Sequence, residues 1–324
     1  MWLDKKCRIA VLMGGVSNER EVSLKSGRSI AAALREAGHD VVPLEIKDEQ
    51  DLQGVRGMRA DCAFVALHGT YGEDGAVQAR LDEWEIPYTG SGPRASELGM
   101  DKVLSKRAFV CHSVPTPDYV VLQPSSDTDR VLSLATQIGF PLVCKPARGG
   151  SSLGVSIVKT PSELSAAVRQ AEANTGQEAQ LLLERHIHGR EFTVGVVDGR
   201  PLPLVEIRSA EPFFNYEAKY YDEDTEYLIP VPLLHSVYRH ALELGAGAYR
   251  ALGCRHMART DMMYGYDGRL YVLEVNTIPG FTPRSLLPMA AEHAGIPFSQ
   301  LCERIVGKAL QDARSRQDNQ RQTA

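Results

Sequence analysis

Apolar and polar positions along the first hundred residues follow a repeating rhythm of short apolar run, glycine turn and helical stretch. Arg8 to Met13 (RIAVLM) is an apolar run closed by Gly14-Gly15, the pattern of a buried strand. A helical pattern then runs from Val22 to Ala37 and stops at Gly38. Asp40 to Ile46 (DVVPLEI) predicts a second strand, placed at a sheet edge by Pro43, which lacks an N–H for one side of a ladder. Cys62 to Leu67 (CAFVAL) predicts a third, leading into His68-Gly69. This alternation predicts a parallel sheet with crossover helices, an open α/β domain over residues 1–99.

Beyond it a helix is predicted from Asp101 to Cys111, and strands at Asp118–Leu122 and Pro141–Lys145 with a helix from Asp129 to Ile138 between them. ARGGSSLGVSIVK is a glycine- and serine-rich loop flanked by strands; a helix from Pro161 to Ala173 and a strand from Ala179 to Glu184 complete a central domain over 100–187. From Gly189 the pattern is mostly strand (EFTVGVV, then PLPLVEI), followed by a polar aromatic stretch from Phe213 to Tyr227. A helix from Ser236 to Leu252, a hairpin and further helices to about Ala313 fill out a third domain, 188–324. Its last residues, RSRQDNQRQTA (314–324), lack apolar anchors and are expected to be disordered. No internal repeat is present.

Composition narrows the class. The 324 residues are 43% hydrophobic and 24% charged, enough apolar material for a core without disulfides or metals. A net charge of −5 provides no global field for nucleic acid or an anionic membrane. Six cysteines lie far apart without CxxC spacing, the usage of buried, reduced thiols. No apolar stretch reaches the roughly 20 residues that span a bilayer, and the start MWLDKKCRIAVLMGG is a charged lead into a strand rather than a signal peptide. A cytoplasmic protein is expected.

The strongest chemical signal is ARTDMMYGYDGRLYVLEVN, residues 258–276. Two β-rich runs flank Asp267-Gly268, a dipeptide favoured in two-residue hairpin turns. With that turn Tyr266 faces Arg269, Asp261 lies opposite Glu274, and Arg259 opposite Asn276. Alternation along a strand then points all four to one face. Facing carboxylates destabilise a sheet unless something compensates. A divalent cation would do so, and Asp261, Glu274 and Asn276 offer the hard oxygen donors that suit Mg²⁺ or Mn²⁺ beside nucleotide phosphates. The alternative is a register slipped by a bulge, with both acids solvated.

Gly149-Gly150-Ser151-Ser152-Leu153-Gly154 offers backbone N–H groups and two hydroxyls, a loop able to fold over phosphates or simply to lie in solvent. GxxxxGK[ST] and a strand-linked GxGxxG are both absent, which disfavours a Walker-type NTPase and a nicotinamide dehydrogenase. Lys145 ends an apolar strand beside the loop and Lys102 opens the central domain; both are candidate phosphate partners. Glu19 and Glu21 flank a helix start, where acids favour the macrodipole; Glu19 could equally reach a substrate amine.

Taken together and in order, MGGVSNEREVSLKSG (13–27), ALHGTYGEDG (66–75), PYTGSG (87–92), MDK (100–102), KPARGGSSLGVS (145–156), YEAKY (216–220), ARTDMM (258–263) and LEVNTIPGFTPRSLLPMAA (273–291) resemble D-alanine–D-alanine ligases of the ATP-grasp superfamily. The resemblance implies a three-domain ATP-grasp architecture, α/β in the N-terminal domain and α+β in the rest, with ATP between the central and C-terminal domains. It implies ATP-dependent joining of two D-alanines through a D-alanyl phosphate, releasing ADP and phosphate, for peptidoglycan precursors; another acid or amine is the alternative. It places Lys102 and Lys145 on the α and β phosphates, Lys219 on the γ-phosphate, Ser151 and Ser152 in the phosphate loop, Glu184 and Ile187 at adenine and Glu191 at ribose. Two Mg²⁺ or Mn²⁺ ions would sit on Asp261, Glu274 and Asn276. Glu19 would bind the first D-alanine's ammonium with His68 nearby, and Ser285 and Leu286 the second D-alanine's carboxylate. Arg259 and the Gly280 N–H would stabilise the oxyanion, a role often worth about 3–4 kcal/mol per donor. A Glu19–Ser151–Tyr220 network would close the site, under a lid formed by Phe213–Tyr227. Relatives are commonly homodimers.

Some positions depart from the resemblance. His186-Ile187 stand where relatives often carry an aromatic and an aliphatic residue. Ile278 replaces a more usual Ser, Met or Leu, and Pro283-Arg284 precede Ser285 in a variable segment, so the second substrate pocket is where selectivity would differ. Tyr220 stands where depsipeptide-forming relatives commonly have Phe, which implies D-alanine rather than D-lactate as nucleophile.

Overall fold

The computed structural model describes residues 5–124, 126–175, 179–209 and 225–323. The chain begins with β1 (Arg8–Gly14), α1 (Arg20–Glu36), β2 (Asp40–Ile46), α2 (Glu49–Gly57), β3 (Cys62–Val65), α3 (Ala76–Glu83) and α4 (Pro93–Met100). The three strands pair in parallel in the order β2-β1-β3, with the Pro43 strand at an edge, as the missing N–H requires.

Next come α5 (Lys102–Cys111), β4 (Tyr119–Leu122), α6 (Thr128–Ile138), β5 (Leu142–Pro146), β6 (Ser156–Val158), α7 (Leu164–Thr175) and β7 (Leu181–Arg185). Asp101 starts α5 by accepting the Val103 and Leu104 N–H groups on one carboxylate oxygen, each at 3.0 Å. The strands form an antiparallel sheet in the order β4-β7-β5-β6, and the β5–β6 connection is the Gly/Ser loop.

The third stretch contains β8 (Gly189–Val197), β9 (Arg200–Pro201), β10 (Val205–Arg208), β11 (Glu226–Leu228), α8 (His235–Ala251), β12 (Met257–Gly265), β13 (Leu270–Asn276), α9 (Leu286–His293) and α10 (Phe298–Thr323). Its antiparallel sheet runs β11-β10-β8-β12-β13, with β9 beside β8. Of the expected lid, the part before Thr225 lies outside the described residues, and with it Lys219 and Tyr220; the remainder enters edge strand β11.

Each sheet has its own core, and one core crosses between sheets. Ile30 and Leu34 of α1 and Phe64 of β3 pack with Phe281, Leu287, Leu301 and Ile305. Burial of each such side chain contributes roughly 1.5–3 kcal/mol, so the N-terminal sheet is fixed to the C-terminal helices. The tail differs from expectation: α10 continues to Thr323. No Gly or Pro interrupts 314–323, and Arg and Gln propagate a helix whose earlier turns are anchored by Leu301, Ile305 and Ala309. The six cysteines are free thiols and all but Cys111 are buried; burial pushes Cys144 and Cys254 up to about 12. Among the described residues no helix is long and apolar enough to cross a membrane.

Candidate active site

The acidic hairpin has the expected pairing where it matters and a different route to it. Arg259 lies opposite Asn276 and Asp261 opposite Glu274. The turn, however, is not the two-residue Asp267-Gly268 connection. Gly265 donates to the Arg269 carbonyl at 2.8 Å and Gly268, in the left-handed region at φ +77°, donates back to Gly265 at 2.9 Å. Three residues, Tyr266 to Gly268, therefore make the turn, a type that ends on a left-handed glycine. Tyr264 consequently faces Leu270, one step off the predicted register. A β-bulge between Asp261 and Met262, with Leu273 as the extra residue opposite, restores the offset before the acids are reached.

Asp261 is the hub of this face. Its Oδ1 accepts from Thr193 Oγ1 at 2.6 Å and Arg259 Nε at 2.9 Å, and its Oδ2 from Arg259 Nη2 at 2.8 Å and Asn276 Nδ2 at 2.9 Å. The bidentate guanidinium fixes the carboxylate's plane. Because Asn276 donates through its amide nitrogen, its carbonyl oxygen remains the ligand type it could offer. Two carboxylates and an amide oxygen on one strand pair fit a hard divalent cation.

A narrow cavity of about 180 Å³ runs between the four-stranded and six-stranded sheets. Lys102, Lys145, Ser151, Ser152, Glu184, Ile187, Glu191, Asp261 and Glu274 all line it. Lys102 donates to the Gly149 carbonyl at 2.7 Å and stands 3.8 Å from Glu274 Oε2. Glu184, expected at adenine, is occupied by cations: Lys106 and Lys145 both reach its Oε2, at 2.8 and 2.9 Å. Burial would raise this carboxyl, but the two ammoniums outweigh it and hold it below the usual carboxylate range. His186 also lines the cavity and packs edge-on against His188, with ring centroids 4.4 Å apart. Its burial, then the neighbouring imidazole, keeps His186 below its ordinary value.

The narrow cavity opens into a chamber of about 1010 Å³, and Lys102, Gly149, Gly150, Ser151 and Glu274 line both. The chamber walls bring together Glu19, His68, Arg259, Asn276, Gly280, Ser285 and Leu286. Ser151 Oγ donates to Glu19 Oε1 in a short hydrogen bond, which joins the loop to the start of α1. The turn beside Glu19 requires glycine: a Cβ on Gly69, at φ +71°, would stand 2.8 Å from Ser17 Cβ and 2.9 Å from Glu19 Oε2. Ser151 and Ser152 themselves adopt left-handed backbone, φ +54° and +57°, a cost of about 1 kcal/mol or more each that recurs at functional loops.

His68 is buried, with Nε2 3.2 Å from Ser26 Oγ and Nδ1 3.9 Å from Glu73 Oε1. Burial lowers its imidazole, yet the Glu73 and Glu19 carboxylates together lift it above the ordinary range. Ser26 also accepts the Phe281 N–H at 3.2 Å, tying His68 to the Gly280 turn. On the far wall Ser285 precedes α9, its Oγ accepting from Thr282 N–H at 3.0 Å, and Leu286 opens the helix. The first N–H groups of a helix and its positive dipole end suit a carboxylate.

The family model described as D-ala D-ala ligase C-terminus matches residues 110–307, and the one described as D-ala D-ala ligase N-terminus matches 8–55 and 49–91. The chain belongs to the D-alanine–D-alanine ligase family. Among its relatives, the D-alanine–D-alanine ligase of Pelobacter propionicus is 45% identical over 92% of this chain and 94% of its own length. That of Anaeromyxobacter sp. (strain K) is 43% identical over 95% and 98%. Of solved structures, the Bacillus anthracis ligase complexed with ATP superposes with a TM-score of 0.83 at 36% identity, covering 96% of this chain and 99% of that one. The VanG D-Ala:D-Ser ligase from Enterococcus faecalis gives a TM-score of 0.82 at 27% identity, covering 94% and 100%. The family's activity is ATP-dependent, with Mg²⁺ as the divalent ion.

Every predicted site residue among those described lines one of the two cavities. Sequence reasoning missed Lys106, Thr193, Ser26 and Glu73, which touch site residues without being candidates themselves. Ser26 and Glu73 fall inside the matched segments 13–27 and 66–75 without standing out there, and the helical spacing of Lys106 from Lys102 is shared with many solvated lysines.

Proposed function

We propose that this chain condenses two D-alanine molecules at the junction of the two cavities, with ATP in the narrow one and both amino acids in the chamber. The observation that carries this reading is the shared wall. Lys102, the 149–151 backbone and Glu274 border both spaces, so a γ-phosphate lying there meets a carboxylate held in the chamber. In this reading residues 1–99, 100–187 and 188–324 are three domains, each built on its own sheet.

Glu19, braced by Ser151, receives the first D-alanine's ammonium with His68 beside it. Lys102, Lys145 and Lys219 neutralise the phosphates under the Ser151-Ser152 loop, Glu184 and Ile187 border adenine, and Glu191 takes the ribose hydroxyls. Asp261, Glu274 and Asn276 would hold Mg²⁺, or Mn²⁺ in its place; the ions supply charge neutralisation of the nucleotide phosphates. A carboxylate oxygen of the first D-alanine attacks the γ-phosphorus and the bond to ADP breaks, leaving an acyl phosphate. The second D-alanine, its carboxylate at Ser285 and the Leu286 N–H, attacks the carbonyl carbon through its amine. Arg259 and the Gly280 N–H stabilise the oxyanion; the amine loses a proton and inorganic phosphate departs. Tyr220 would complete the closing network with Glu19 and Ser151, because an acyl phosphate exposed to water hydrolyses.

The decisive experiment is mass-spectrometric identification of the product formed from ATP, Mg²⁺ and a mixed amino-acid panel. D-alanyl-D-alanine with equimolar ADP and phosphate is expected; ATP turnover without that dipeptide would overturn the reading. The panel also addresses the amine, since a D-Ala:D-Ser ligase shares this fold and Ile278 and Arg284 line the chamber near Ser285. We further place the protein in the cytoplasm, which its free thiols support, and assign it a homodimer on the strength of the family resemblance alone. A sedimentation mass of one chain would refute the dimer.

A further inference from the structure

Behind the narrow cavity stands a cation that the phosphate assignments leave unused. Lys106 lies one turn beyond Lys102 on α5, and its side chain has no exposed surface. Its Nζ donates to Thr116 Oγ1 at 2.6 Å, meets Glu184 Oε2 at 2.8 Å and lies 5.5 Å from the Tyr119 ring centre. Lys145 reaches the same Glu184 oxygen from the cavity side, at 2.9 Å. Burial draws the Lys106 ammonium down to about 8, and Glu184 is the main influence opposing that fall.

A buried ammonium is costly, and an apolar side chain of similar volume would often do as well for stability. The charge therefore calls for a consequence that packing does not supply. Counting charges gives one. Glu184 and Lys145 alone would neutralise each other, and a phosphate entering the cavity would meet a pair with no net charge. With Lys106 behind, the three groups carry a net charge of about +1, and the only one of the two ammoniums that borders the cavity is that of Lys145. One helix, α5, thus presents Lys102 to the cavity and sets Lys106 behind Glu184.

We propose that Lys106 is a positioning residue for phosphoryl transfer: it neutralises Glu184 from behind and so keeps Lys145 directed at, and electrostatically available to, the nucleotide phosphates. The inference rests on the assignment of Lys145 to those phosphates.

The test compares affinity for ATP and for adenosine, which lacks phosphates, in the full-length protein and in Lys106→Met, Glu184→Gln, their double variant and Lys145→Met. Lys106→Met is expected to weaken ATP about tenfold and leave adenosine unchanged. In the Glu184→Gln background the same substitution should cost less, because no carboxylate then remains to be neutralised. Equal weakening of ATP and adenosine, or an undiminished loss in the Glu184→Gln background, would overturn the proposal. If Lys106→Met alone fails to fold, Lys106→Gln, which removes the charge but can keep the hydrogen bond to Thr116, carries the test with the same two outcomes. Lys145→Met separates the two claims. If it leaves ATP affinity intact, the phosphate assignment falls and the proposal with it; if it weakens ATP while Lys106→Met does not, only the role of Lys106 falls.

Discussion

The nucleotide cavity and the amino-acid chamber are built by different means. The cavity is held by neighbouring strands and one helix: β5, β7 and α5 carry Lys145, Glu184, Lys106 and Lys102, and Lys145 and Lys106 meet on the one Glu184 carboxylate inside the protein. The chamber draws on loops far apart in the chain, with Glu19, His68, Ser151, Gly280 and Ser285 joined by hydrogen bonds through Ser151, Ser26 and Thr282. A site of the first kind is preformed, because its electrostatics are settled by local sheet geometry. A site of the second kind exists only while three stretches of chain stay docked, and it is therefore the part that can vary in selectivity while the nucleotide machinery persists.

That contrast can be broken most sharply at Arg259, which borders the chamber and orients Asp261. Arg259→Ala is expected to lower kcat by about 10²–10³ while leaving ATP affinity essentially in place. Steady-state kinetics with ATP binding measured in parallel would decide; a comparable loss of both would mean the two spaces are not separable. A smaller effect is expected at the far wall. Ser285→Ala should raise the KM for the second D-alanine by about tenfold or more, the worth of one hydrogen bond to a charged group, with the KM for ATP unchanged. A shift in the ATP value instead would place Ser285 in the wrong half.

The smallest effect concerns protons in the chamber. His68 lies above its ordinary value of 6.5 because, against burial, Glu73 and Glu19 favour the imidazolium. A raised folded value contributes stability that is complete below the unfolded value and lost as pH rises through the folded one. Glu73→Gln is expected to move the His68 midpoint down in an NMR titration and to reduce that alkaline loss. A midpoint that stays where it was would remove Glu73 from the account of His68.

The legibility of the chain divides along the same line. Strand, turn and helix in the first hundred residues follow from local periodicity, and Pro43 marked its edge strand because a missing N–H is a local property. The facing of Asp261 and Glu274 was legible too, although two departures cancel on the way. Asp267 accepts from Arg269 N–H at 3.1 Å and from Tyr271 Oη at 2.6 Å, which favours the wider turn, and the bulge at Leu273 takes up the offset. Neither is visible in alternating hydrophobicity, which fixes a face only modulo such insertions. Lys106 was illegible for another reason: nothing in a helical lysine's own neighbourhood says it is buried, and its partner Glu184 arrives from β7. The helical tail was misjudged because missing apolar anchors limit docking, whereas α10 needs only continuous backbone bonds from an anchored first half.

The claim on which all of this depends is that the first D-alanine's carboxylate is phosphorylated at the junction of the two cavities. Turnover of D-alanine labelled with ¹⁸O in both carboxylate oxygens, followed by mass spectrometry of the released phosphate, tests it directly. One ¹⁸O atom is expected in the inorganic phosphate for each dipeptide formed, carried there when the acyl phosphate gives up its leaving group. Dipeptide formed with unlabelled phosphate would contradict the acyl phosphate route and the arrangement of residues assigned to it.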